Sequence, residues 1–188
     1  MTVRFSKIIS LMQSTLRKNN LVRPTALKNL QTQEEGDPYK ILIGTILSAR
    51  TRDETTTQVI KMLFSEFKNP DEISRADLKA IKKLIQKIGF YNVKATRIKE
   101  VSKILVEKYN SKVPSNLEDL LTFPGVGRKT ANCVLVYGFR KPAIPVDIHV
   151  HRISNRIGIV NTKKPEETEI DLQKSIDRRY WTGVNETF

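Results

Sequence analysis

The stretch Leu120-Leu-Thr-Phe-Pro-Gly-Val-Gly-Arg-Lys-Thr-Ala131 decides how the rest of the chain is read. A short helix ends at Pro124, Gly125-Val126-Gly127 makes a tight turn, and a new helix opens with Arg128-Lys129-Thr130. Two glycines let the backbone turn sharply and pass close to another surface. The amides at the start of the new helix then point outward and form an anion site suited to a phosphate. Glycines alone would equally suit a plain joint between two core helices. Lys129 argues for more: a lysine in the first turn of that helix, beside Arg128, is a candidate amine nucleophile. Most lysines in so basic a chain are surface residues, and only the position within this motif singles Lys129 out.

Beyond the turn comes Ala143-Ile-Pro-Val-Asp-Ile-His-Val-His-Arg152. Asp147 follows Pro145-Val146 and can cap the next helix. The same geometry holds a carboxylate rigidly, where it can stabilise positive charge developing on a sugar ring or help move protons. Both roles are compatible. His149 and His151 lie two apart, a spacing that diverges on a helix, so metal ligation is not expected there.

Composition sets the frame. Lys and Arg number 33 against 20 acidic residues, a formal charge of +13. Such a surplus draws polyanions, because each neutralised phosphate releases a condensed counterion. A solvated lysine-rich surface is the plainer alternative. The 39% of hydrophobic residues can build a core, and no stretch has the apolar length to span a bilayer. Met1 to Lys18 reads as a first helix rather than a signal peptide. Cys133 is the only cysteine, so no intrachain disulfide can form, and an intracellular setting (cytoplasm or nucleoid) is expected.

Periodicity is helical nearly throughout. Ile8, Leu11, Met12 and Leu16 share one face; Val59, Met62 and Leu63 share another, and Ile98, Val101 and Leu105 a third. Asp37-Pro38 starts one helix and Ser115 another. The segment 41–47, Ile-Leu-Ile-Gly-Thr-Ile-Leu, could suit a buried strand, but its proline-capped start predicts a central helix. The reading is an all-α protein of about nine or ten helices.

At these residues the chain resembles the helix-hairpin-helix glycosylase superfamily, specifically its endonuclease III branch. The resemblance runs from about Phe5 to the C-terminus, and the Pro-Gly-Val-Gly-Arg-Lys-Thr-Ala and Val-Asp-Ile-His pair carries it. It implies two helical lobes with the active site in the cleft between them. Residues 31–142 would form a six-helix barrel lobe containing the hairpin 116–136, and residues 1–30 with 143–188 the second lobe. By that likeness the chain is a bifunctional DNA glycosylase and AP lyase of base-excision repair. Lys129 attacks C1′ of the damaged nucleotide, Asp147 assists, and the Schiff base permits β-elimination. The base must first be flipped from the stack.

The resemblance implies further roles. Gly125, Val126, Gly127, Arg128 and Thr130 would clamp damaged double-stranded DNA. Phe90 matches the apolar wedge that fills the gap left by flipping, a core aromatic being the alternative. Arg50 falls where glutamine usually faces the orphaned base, with a phosphate contact as the alternative. His149 would lie near the DNA-facing pocket. A monomer that meets no membrane is expected. Many relatives hold a [4Fe–4S] cluster on four C-terminal cysteines that are missing here, so no cofactor is expected in this chain, which either is naturally short or continues into that loop. The lesion expected is an oxidised pyrimidine such as thymine glycol. An 8-oxoguanine enzyme remains an alternative, as does a silent DNA-binding module. A monofunctional adenine glycosylase is disfavoured by Lys129 and by Thr45, where that branch has glutamate; Lys129 also disfavours a thymine-mismatch enzyme.

Overall fold

The computed structural model describes residues 2–19, 26–33 and 36–188, and every regular element among them is helical. In chain order these are α1 (Thr2–Lys18), α2 (Ala26–Gln33), α3 (Pro38–Ser48), α4 (Asp53–Glu66), α5 (Pro70–Arg75) and α6 (Leu78–Ile85). Then come α7 (Tyr91–Tyr109), α8 (Leu117–Leu121), α9 (Arg128–Cys133), α10 (Ile148–Arg156), α11 (Pro165–Ser175) and α12 (Trp181–Thr187). A π-helical stretch, Val134–Gly138, continues α9, and a 3₁₀ turn, Arg178–Tyr180, precedes α12. The count exceeds the nine or ten expected, because elements such as α5 and α8, six and five residues long, are too short to show a helical pattern in sequence.

The chain forms two compact units, residues 1–23 with 140–188, and residues 24–139. The sequence reading set these limits at 30/31 and 142/143. α2 falls in the 24–139 unit because it packs on α3, α4 and the π stretch.

Within residues 24–139, α3 is the central element. Asp37 Oδ1 accepts from the amides of Tyr39 and Lys40 at 2.8 and 3.3 Å, with Pro38 at the first helical position. Ile41, Leu42, Ile43 and Leu47 have no exposed surface. The segment 41–47 is therefore a helix buried on all sides, which is why its pattern lacked a clean helical stripe. Around it, α5 and α6 pack on α7, whose Ile98, Val101 and Leu105 are fully buried. On α4, Val59 and Leu63 face inward, whereas Met62 is 47% exposed and lies off that face.

Residues 1–23 and 140–188 carry their own core of Phe5, Ile9, Ile144, Val150, Leu172 and Val184. The buried face of α1 is thus set by Phe5 and Ile9, and Leu11, expected on the inner stripe, is 58% exposed. Phe5 meets Tyr180 edge-on at 5.6 Å between ring centroids, which ties α1 to the chain's other end. Each fully buried side chain of this kind contributes about 1.5–3 kcal/mol.

Candidate active site

The hairpin is built from its caps inward. Asn116, not the neighbouring Ser115, caps α8: its Oδ1 accepts from the Asp119 amide at 2.8 Å. Phe123-Pro124-Gly125-Val126 then closes through Val126 N donating to Phe123 O at 3.1 Å. Proline at the second position and a glycine with φ +77° at the third meet the demands of a type II turn. A Cβ on Gly125 would also stand 2.6 Å from Cδ of Arg97. Phe123 and Val126 are buried and anchor the turn, Phe123 edge-on to Tyr109 at 5.5 Å.

Gly127 differs from Gly125. It caps α9 with φ −95° and ψ 178°, a backbone open to any residue, and no atom comes within 4 Å of where its Cβ would be. The glycine leaves the outer side of the turn clear for something to approach. It also brings no side-chain acceptor to the first amides of α9. Arg128, Lys129 and Thr130, all half-buried, form that first turn, and Ala131, Asn132 and Cys133 behind them are buried.

A second group of candidate residues gathers at the far end of α3. Arg50 and Phe90 both adopt left-handed backbone, φ 56° and 59°, which costs an ordinary residue roughly 1–2 kcal/mol. The Arg50 guanidinium lies over the Phe90 ring, 5.9 Å from its centroid. Phe90 is 64% exposed, so it is not a core aromatic. Beside the pair is a cavity of about 360 Å³ lined by Ala49, Arg50, Phe90, Val93, Lys94 and Arg97.

Lys94 organises this corner, and no sequence signal pointed to it. Its buried Nζ donates to the carbonyls of Leu47 at 2.8 Å and Ala49 at 2.6 Å and to Thr51 Oγ1 at 3.3 Å. A cation thereby caps the C-terminal end of α3, where the carbonyl dipoles favour it. Burial, with the charge of Arg97 second, brings its pKa down to about 8. Because Phe90 is the N-cap of α7, one turn before Lys94, this contact ties the exposed aromatic to the strained Arg50 turn.

In the other unit, Asp147 caps α10: Oδ1 accepts from the amides of His149 and Val150 at 2.9 and 3.0 Å. Asp147 is half-buried and His149 exposed. His151 instead joins a structural network, its Nδ1 2.6 Å from Thr168 Oγ1. The histidines diverge, and among the described residues no three His, Cys, Asp or Glu side chains gather to hold a metal ion. Cys133, the single cysteine, is wholly buried. These residues do not fit a four-thiolate iron–sulfur site.

Residues 43–178 match the family model described as HhH-GPD superfamily base excision DNA repair protein. Endonuclease III of Thermotoga maritima is 50% identical over 165 residues, covering 88% of this chain and 78% of that protein. The fold superposes on a trapped endonuclease III–DNA covalent intermediate, the estranged-adenine complex, with a TM-score of 0.77 at 36% identity, over 80% of this chain and 71% of that one. A non-covalent endonuclease III–DNA complex gives 0.80 at 30% identity, over the whole of this chain and 83% of that one. The chain belongs to the HhH-GPD superfamily of base-excision DNA repair proteins, and within it to the endonuclease III family of DNA glycosylase/AP lyases.

Proposed function

We propose that the chain removes oxidised pyrimidines, thymine glycol among them, from duplex DNA and then cuts the strand at the exposed sugar. The observation that carries this reading is Lys129 in the first turn of α9, directly behind a glycine cap that leaves the approach clear. Lys129 Nζ attacks C1′, the C1′–base bond breaks, and the base departs with its electron pair and gains a proton. The lone pair of the Lys129 nitrogen then breaks the C1′–O4′ bond, O4′ takes up a proton to become a hydroxyl, and C1′ is left as a Schiff base to Lys129. Removal of a proton from C2′ then expels the 3′ phosphate oxygen, and water finally releases Lys129. The Asp147 carboxylate stabilises the positive charge that develops on the sugar ring.

The remaining residues act on DNA shape. The α9 amides and the Gly125–Gly127 turn hold a backbone phosphate. Phe90, exposed and apolar, fills the gap in the stack. Arg50 beside it offers guanidinium donors to the edge of the orphaned base. Thr45 is buried and donates to Ile41 O at 2.7 Å; a glutamate there would distinguish an adenine glycosylase, so its absence favours the lyase branch.

A panel of duplexes bearing single lesions tests the substrate. Thymine glycol should be released as free base, with strand scission following on the same duplex. Release confined to 8-oxoguanine would replace this reading with that of a purine-lesion enzyme.

A further inference from the structure

Asp147 is held from two sides. One is its own helix, through the two amides on Oδ1. The other is α12, where Asn185 Nδ2 donates to the Pro145 carbonyl at 3.0 Å and sends its second proton toward Asp147 Oδ2, 3.4 Å away. The chain leading to Asp147 is already rigid, since residues 143–146 are buried. With Oδ1 committed to the helix, Oδ2 is the oxygen left for chemistry, and it is the one the asparagine reaches. The carbonyl at Pro145 anchors the amide, so its other N–H is aimed rather than free to rotate.

We infer that Asn185 is a positioning residue for the reaction: it orients Oδ2 of Asp147. This rests on the reading of Asp147 as the acting carboxylate. An amide suits the task, because it orients an anion without neutralising it, as a lysine or arginine there would.

The test is a double-mutant cycle on a thymine-glycol duplex under single-turnover conditions with enzyme in excess. Asn185→Leu should slow base removal about tenfold, since small misplacements of a reacting group are costly. Affinity for the duplex should stay within about twofold, and the thermal melt should stay close to wild type. Added to Asp147→Asn, the leucine should cost nothing further, because the group it acts through is already lost. A merely structural asparagine would lower the rate by the same factor in both backgrounds, and that result overturns the inference. So does a wild-type rate for Asn185→Leu while Asp147→Asn is slow. If Asp147→Asn itself is as fast as wild type, the carboxylate reading falls and takes this inference with it. Should leucine prevent folding, Asn185→Ser serves in the same cycle with the same outcomes.

Discussion

The two hairpin glycines demand different things of their positions, and substitution separates them. Gly125 sits at φ +77° with Arg97 Cδ in the space a Cβ would take. Gly125→Ala should therefore lower stability by about 1–2 kcal/mol, read as a lower denaturation midpoint. Gly127 has neither constraint, so Gly127→Val should stay folded and lose no more than about 1 kcal/mol, the cost of a poorer helix N-cap. It should nonetheless bind duplex DNA about tenfold more weakly, roughly 1.4 kcal/mol, because the isopropyl group fills the path of a phosphate. Normal affinity in a folded Gly127→Val protein would remove the turn from the DNA interface. Phe90 is decided in the same way. At 64% exposure its truncation should leave the melt nearly unchanged, where a core phenylalanine would cost about 3–5 kcal/mol. Excision from duplex should fall while cleavage of a single-stranded abasic site survives; equal loss on both substrates would deny it the wedge.

At the scale of the element, α3 and its lysine cap make a prediction about pH. Lys94 ionises near 8 in the fold and near 10.5 in the unfolded chain. Between those values the unfolded state holds the extra proton, so the lysine's contribution to stability rises with pH. Below pH 8 both states are protonated and the contribution is flat. Lys94→Met should destabilise at neutral pH by orphaning the Leu47 and Ala49 carbonyls, and the gap to wild type should widen as pH climbs from 8 to 10.5. A gap that narrows over that range would contradict the assignment. Lys94 also marks where sequence reading stops. Helices α3 and α7, the Asp37 and Asp147 caps and the glycine turn were legible, because each is written in side chains a few residues apart. The partners of Lys94 are backbone carbonyls at residues 47 and 49, and any residue supplies a carbonyl. Asn185 was silent for the related reason that its partner lies 38 residues away. Leu11 and Met62 were misassigned because several apolar positions compete for one helical face, and only packing chooses among them.

At the scale of the whole molecule, the charge of +13 predicts binding to duplex DNA that weakens linearly in log salt, with a slope of roughly −0.9 per phosphate neutralised. Salt-insensitive binding would leave the lysines as a solvated surface only. Charge draws DNA to a protein but does not cut it; the proposed cut depends on one amine. A lysine that attacks C1′ leaves an imine between enzyme and sugar, which borohydride reduces to a permanent bond. Wild-type protein incubated with borohydride and a thymine-glycol or abasic duplex should form a covalent complex whose crosslinked peptide carries the sugar on Lys129. Lys129→Ala should bind the same duplex and trap none of it. A folded wild-type protein that binds damaged DNA yet traps nothing, or traps it through another lysine, would contradict the account.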